Sequence, residues 1–210
     1  MVIKEKYEST IHALYRRNEK FLFISAAIFF TSLFLGYFLS GVFDFFLKSI
    51  FDEFKRSIQN GRIKLTTLSI FTHNLQTIFL IYGGGFLLGA FTILFLFING
   101  SFLGYVMTKG PIGNMILLIL PHGIFEIIGL IIAGAAGFRL ASFTYRFVNN
   151  MLSQTWYGSI FSKIKHIFNE NRDEFQESLM LLGISIVFLF IAAIIEANFT
   201  LGLYQYLTGL

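Results

Sequence analysis

Long apolar runs alternate with polar segments along this 210-residue chain. Residues 21–43, 115–140 and 179–197 form three runs in which charged side chains are absent or rare. An α-helix rises about 1.5 Å per residue and the hydrocarbon core of a bilayer is about 30 Å thick, so each run is long enough to cross a membrane. The pattern predicts membrane-spanning helices.

A fourth apolar region, residues 75–107, is interrupted by Asn99 and by several glycines. The region is too long for one untilted span and shorter than two full spans. It can therefore form either two short membrane crossings or a re-entrant pair of helices. Two crossings agree better with the charge pattern described below. The whole chain is then predicted to be one all-α transmembrane domain of about five spans, with broken helices and amphipathic surface helices.

The polar segments have helical patterns of their own. Residues 44–60 place their large apolar side chains on one helical face, which is typical of a helix that lies in the membrane interface. Gly61 is expected to end that helix. We therefore predict a basic segment over residues 1–20, an amphipathic loop over 44–72, and an amphipathic loop of two surface helices over 141–178.

Charge sets the expected orientation. The chain is 55% hydrophobic and 13% charged, against about 25% charged residues in an average soluble domain. Residues 1–20 and 141–178 are both basic, and basic loops face the cytoplasm. Five spans then place the C-terminus outside a cell membrane. No segment has the dense basic and aromatic pattern of a nucleic-acid surface, so the lipid bilayer is the expected surrounding and nucleic acid is not an expected partner.

Glycines and prolines mark sites of helix packing and helix breakage. The segment Pro121-His122-Gly123 should break or kink the third run, because proline removes a backbone N–H. Small residues four positions apart allow close approach of helices in lipid, which serves either a tightly packed or oligomeric core, a permeation path, or ordinary packing within one chain. The residues with this spacing are Gly85, Gly89, Gly100, Gly104, Gly129, Ala133 and Gly137.

Polar side chains inside the apolar runs are the candidate site. They comprise Asn74, Asn99, His122, Glu126 and Glu196, with His73 beside them. Ionisable groups are costly in hydrocarbon and usually face protein or water. His122 and Glu126 are one helical turn apart, and we expect them to face the interior near Asn74 or Asn99, with Glu196 approaching from the last span. A structural hydrogen-bonded pair, a proton or ion relay, and a metal site are the three interpretations.

Enzyme signatures are missing. The glycine cluster at residues 83–89 lacks the Gly-Lys-Ser/Thr ending of a phosphate loop, and no Gly-x-Ser-x-Gly motif occurs. The chain has no cysteine, which excludes thiolate metal sites and cysteine nucleophiles. His122-x-x-x-Glu126 lacks the second histidine of a His-Glu-x-x-His site. We expect no enzymatic activity, no cofactor and no bound metal.

Three stretches resemble the stage II sporulation protein M family. They are Asn74 with Gly85-x-x-x-Gly89 and Asn99-Gly100, then Leu120-Pro121-His122-Gly123-Ile124-Phe125-Glu126 followed by residues 132–137, and the closing segment 191–197. The resemblance extends from residue 71 to residue 200 and implies five spans with no assigned enzymatic activity. In spore-forming bacteria the family's namesake sits in a membrane complex with cell-wall hydrolases, and members also occur in organisms that never sporulate. The 44–72 segment departs from the family pattern.

Two function classes follow. The one that the sequence favours, because it has no clear inverted repeat and few spans, is a non-catalytic membrane scaffold that positions partner proteins, as a homo-oligomer or in a complex with other membrane or envelope proteins. The other is a small channel or transporter for an ion or small solute, built around His122 and Glu126.

Overall fold

The fold is described from a computed structural model, which covers residues 2–62, 64 and 66–208. The described residues are almost entirely helical and contain no strand, so the predicted all-α class is confirmed. The elements are α1 (Val2–Phe38), α2 (Ser40–Gln59), α3 (Thr67–Gly83), a 3₁₀ turn (Gly84–Leu87), α4 (Ala90–Met107), α5 (Ile112–Ser153), α6 (Ile160–Glu170), α7 (Arg172–Ile195), a π-helical turn (Glu196–Thr200) and α8 (Leu201–Thr208).

Within the described residues, four helical stretches are long and apolar enough to cross a membrane: Ile11–Phe38, Ala90–Met107, Ile112–Ser153 and Arg172–Tyr206. Helix α3 has 17 residues, which is about 25 Å at 1.5 Å per residue, and it carries His73 and Asn74. Four of the five expected spans therefore have the required length and composition, and α3 is a short fifth helix.

The region 75–107 forms a helical hairpin. Leu88 and Gly89 adopt left-handed backbone angles, with φ of 55° and 82°, and this reverses the chain after the 3₁₀ turn. The Thr92 hydroxyl then donates to the Ile81 carbonyl at 2.8 Å, which ties the start of α4 to the end of α3. The predicted break among the glycines is confirmed, and α3 and α4 run antiparallel.

Glycines allow the helices of one chain to touch. A Cβ at Gly104 would collide with the Leu33 carbonyl oxygen and lie 2.8 Å from the Tyr37 nitrogen, so α4 crosses α1 backbone to backbone. A Cβ at Gly100 would strike the Ser32 hydroxyl on the same helix α1. In the hairpin turn, a Cβ at Gly85 would strike the Gly137 carbonyl oxygen of α5. These contacts are intramolecular.

The row on α5 is also used within the chain. Ala133 is fully buried, and the Ser185 hydroxyl of α7 donates to the Gly129 carbonyl at 2.7 Å. A Cβ at Gly137 would lie 2.7 Å from the Thr92 hydroxyl oxygen of α4. This row packs against helices of its own bundle. It therefore gives no support to a homo-oligomer.

Of the break or kink predicted at Pro121, the break is wrong, and the kink stays a prediction. Helix α5 runs without interruption from Ile112 to Ser153, with Pro121 inside it. Proline's fixed φ is itself helical, so the helix can continue, although Pro121 cannot donate to the carbonyl of Leu117 and its ring crowds that carbonyl. Gly123 forms no helix break either, since a Cβ there would approach only the Ile119 side chain.

Two predicted boundaries also need correction. The basic segment predicted over residues 1–20 is not separate from the first span, because α1 begins at Val2, continues into the apolar run and ends at Phe38 rather than at residue 43. The 141–178 loop shrinks to residues 154–159 and α6, since α5 extends to Ser153 and α7 begins at Arg172. In both cases charged residues interrupt the apolar run in the sequence, but the helix continues through them. In the 44–72 segment, α2 ends as expected before Gly61, which has a φ of 67°.

Candidate functional site

A cavity of about 270 Å³ lies between α1, α3, α4, α5 and the C-terminal end of α7, with α2 at its edge. All five of the polar residues singled out from the sequence line it, and His73 and Thr77 join them. The lining polar residues are His73, Asn74, Thr77, Asn99, His122, Glu126 and Glu196. The fold thus brings together polar side chains that are up to 123 positions apart in the sequence.

Helices α5 and α7 form the ionisable wall of the cavity. The Nδ1 atom of His122 lies 3.2 Å from the Thr200 hydroxyl, and its Nε2 atom lies 4.0 Å from a Glu196 carboxylate oxygen. His122 and Thr200 are therefore hydrogen-bonded, whereas His122 and Glu196 are too far apart for a hydrogen bond. The π-helical turn Glu196–Thr200 places both Glu196 and Thr200 beside His122. Such turns are often found at functional sites.

Glu126 has no hydrogen-bond donor among the described residues. It lies one turn beyond His122 on α5 and close enough to Glu196 for the two carboxylates to interact electrostatically. No lysine or arginine lines the cavity. The two acids therefore lie on the same wall of a cavity that is lined by no described lysine or arginine.

Helices α3 and α4 form the opposite wall. The Asn99 amide nitrogen donates to the Phe95 carbonyl at 2.7 Å, so the Asn99 amide oxygen remains as an acceptor. Asn74 and Thr77 lie one turn apart on the antiparallel helix α3. This wall supplies neutral oxygen atoms opposite the carboxylates.

Aromatic rings line the cavity both in the protein interior and near its surface. Phe29 of α1 is fully buried and marks the inner end, while Phe54 of α2 is 37% exposed and marks the outer end. The Phe54 ring packs edge-on against Phe102 with a centroid distance of 6.0 Å, and it also contacts His73. The rest of the lining is aliphatic, so an apolar sleeve surrounds the polar groups.

The described part of the chain contains no group of three His, Asp or Glu side chains placed to hold a metal ion. His122, Glu126 and Glu196 share the cavity, but they do not converge on one point at coordination distances. The arrangement offers dispersed hydrogen-bond acceptors instead.

A second polar cluster at the opposite end of the bundle was not predicted. Glu177 of α7 accepts from Arg17 Nε at 2.6 Å, from Arg139 Nη2 at 2.8 Å and from Asn18 Nδ2 at 3.1 Å. Glu174, one turn earlier, lies 3.1 Å from Arg146 Nε. This ionic network joins α1, α5 and α7. The sequence does carry a signal for this network. Arg139 lies inside an apolar run, and two acids three residues apart stand just before the next run.

Comparison with known proteins finds one family and two relatives. The model of a family described as Stage II sporulation protein M matches residues 25–201. The chain is 35% identical to the uncharacterized protein MJ0793 of Methanocaldococcus jannaschii over 144 residues, which cover 66% of this chain and 73% of the relative. It is 30% identical to the uncharacterized protein MJ0706 of the same organism over 193 residues, covering 88% of this chain and 83% of the relative. No solved structure gives a significant match.

Proposed function

The chain belongs to the stage II sporulation protein M family, and on that premise we propose that it is a multi-pass protein of the cell membrane whose central cavity binds a small solute and gives it a route through the bundle. The proposal includes no enzymatic activity. The residues that carry it are His122, Glu126 and Glu196 on one wall and Asn74 and Asn99 on the other.

The observation that supports this function is that Glu126 accepts no hydrogen bond from a described residue. A purely structural role would require a His122–Glu126 pair that ties the helix to its neighbours. His122 instead bonds to Thr200, and no described residue donates a hydrogen bond to Glu126. An ionisable group inside a membrane protein usually serves a path for ions, protons or substrate when it has no structural partner. Two acids on one cavity, neither of which accepts a hydrogen bond from a described residue, favour a transport role over a structural one.

The membrane position follows from the distribution of charge. Between Lys20 and Asp44 on α1 and its junction with α2, and between Lys64 and Lys109 across the hairpin, no Asp, Glu, Lys or Arg occurs. Helix α4, at 18 residues, spans about 27 Å, close to the thickness of the hydrocarbon core. We place the ionic network at the cytoplasmic boundary, α2 at the outer boundary, and α3 as the fifth crossing.

The test measures cation flux in proteoliposomes. Purified protein is reconstituted, and the entry of Na⁺, K⁺, Mg²⁺ and organic ammonium ions is followed under an imposed membrane potential. We expect flux of at least one of these cations, and we expect Glu126→Gln to reduce it at least tenfold. Glu170→Gln is the matched control, because Glu170 is an exposed residue of α6 far from the cavity. Equal flux in Glu126→Gln and Glu170→Gln would refute the proposal.

The scaffold function remains a second candidate because of one surface. The loop after α5 and the start of α6 expose Tyr157, Ile160 and Phe161, at 100%, 74% and 77% respectively, next to Lys165. This apolar and basic surface suits a partner protein or a second copy at the cytoplasmic face. Cysteine at position 161 should give a cross-linked adduct in cells that Ile160→Asp abolishes while cation flux continues. Absence of any adduct, with flux intact, would leave the transport function alone.

A further inference from the structure

We propose that the solute is a small organic cation, an ammonium group attached to a short apolar chain. This rests on the proposed function and names its substrate class. The inference is drawn from three properties of the cavity: the sign of its charge, the spacing of its acceptors and the apolar rings around them.

The lining selects a positive charge. Glu126 and Glu196 are acids of the cavity wall, no described lysine or arginine lines the cavity, and the Asn99 amide oxygen remains as an acceptor on the opposite wall. Glu196 is not committed to His122, because 4.0 Å exceeds hydrogen-bonding distance. A charged ligand enters a low-dielectric site only when an opposite charge meets it there. An anion would be repelled by any negative charge on these acids, whereas an ammonium group can donate hydrogen bonds to their oxygen atoms and neutralise that charge.

The spacing of the acceptors suits hydrogen-bond donors better than a bare metal ion. Ca²⁺ requires about six to eight oxygen ligands within about 2.6 Å, and Mg²⁺ requires a near-ideal octahedron. The described residues place no three His, Asp or Glu side chains in such a cluster. An ammonium group carries three N–H donors that point in different directions. It can bond to Glu126, Glu196 and Asn99 individually, each at ordinary charge-assisted distances.

The apolar sleeve suits the remainder of such a ligand. Phe54 and Phe102 flank the outer end, where an ammonium group passing over a ring face gains cation–π attraction. Ile127, Leu130 and Phe29 line the interior, where an alkyl chain would be removed from water. At about 270 Å³ the cavity is below the range of about 300–1,000 Å³ that holds drug-sized molecules. The ligand is therefore a short-chain amine.

Binding to the protein in lipid nanodiscs tests the inference. Titration calorimetry would use methylammonium, ethylammonium, propylammonium and butylammonium, with butanol, NaCl, KCl and MgCl₂ as comparators. Each added methylene should tighten binding about three- to fourfold until the cavity is filled. Butanol should bind at least tenfold more weakly than butylammonium. Glu126→Gln should weaken butylammonium at least tenfold, whereas the exposed control Glu170→Gln should not.

A second pair of variants keeps the test independent of the folding of Glu126→Gln. Phe54→Leu should weaken butylammonium about three- to tenfold, because it removes a ring of the cavity, whereas Phe45→Leu on the exposed side of the same helix α2 should have no effect. Glu126-dependent binding of an inorganic cation that is tighter than that of butylammonium would overturn the substrate class and leave the proposed function standing. Binding of none of these ions in a Glu126-dependent way would overturn both.

Discussion

Replacing Glu177 by Gln should destabilise the bundle more than any other single isosteric change to a described acid. Glu177 is 5% exposed and accepts hydrogen bonds from Arg17, Arg139 and Asn18. Removing one partner from a buried ion pair costs about 3–5 kcal/mol, since the other charge remains buried and uncompensated. Arg17 is largely exposed and can be rehydrated, but Arg139 is not. The nearest remaining acid to Arg139 is Glu174, at 3.9 Å. We therefore expect the lower end of the range, about 3 kcal/mol.

The assay unfolds the protein in mixed detergent micelles by raising the SDS content. Circular dichroism follows the loss of structure and gives the free energy of unfolding. Glu170→Gln, which alters an exposed pair with His166, should cost no more than about 1 kcal/mol. Glu177→Met combined with Arg139→Met should be more stable than Glu177→Met alone, because both members of the buried pair are then absent. A free energy of unfolding for Glu177→Gln within about 1 kcal/mol of the native value would refute the assigned role of the network.

Three further predictions concern packing, orientation and pH. Gly104→Ala should lower the SDS midpoint of unfolding, because the added methyl group forces α4 away from α1. Gly183→Ala is the control, since a Cβ there meets nothing within 4 Å, and it should leave the midpoint unchanged or raise it slightly. Equal midpoints for the two variants would contradict the close crossing of α1 and α4. An impermeant thiol reagent on intact cells should label exposed positions near α2 and α8 and spare those of α1 and α6, and labelling of both groups would contradict the proposed orientation. The single-cysteine positions are Gln59 and Gln205 for the first group, and His12 and Asn169 for the second. The hydrogen bond from Tyr105, followed by Lys109 and Lys48, lowers the pKa of Asp44. The stability due to the ionised form of Asp44 is therefore present above its ordinary pKa and is lost as the pH falls through the lowered value. Tyr105→Phe should move the Asp44 pKa upward in a carboxyl-resolved NMR titration, and an unmoved pKa would contradict this cause.

Much of the cavity could be predicted from residue type alone. Ionisable and amide side chains in apolar runs have few stable positions other than the bundle interior, and all five of them line the cavity. Their exact partners could not be predicted. The His122–Thr200 hydrogen bond depends on a π-helical turn, and no local sequence signal marks where a helix gains one extra residue per turn.

The ionic network was missed for a different reason. Hydropathy reports where the hydrocarbon begins and ends, whereas a helix ends only where its backbone hydrogen bonds stop. Helix α5 continues for 14 residues beyond Arg139 and is 42 residues long in total. Glu174 and Glu177 lie in the first turns of α7, in a segment that was expected to be a surface loop. Arg139 and these acids are therefore on helices that extend past the apolar region and meet there.

The two polar layers of the bundle differ in how well their charges are matched. At the ionic end, Glu177 and Glu174 are each bonded to arginines, so α1, α5 and α7 are held together. At the cavity end, Glu126 and Glu196 lack such cations, and the outer boundary depends on the packing of Phe54 against Phe102 and His73. Ring contacts of this kind contribute about 0.5–1.5 kcal/mol each, which is less than a buried ion pair costs to break. We therefore expect any movement that admits a ligand to occur at α2, while the ionic end stays fixed.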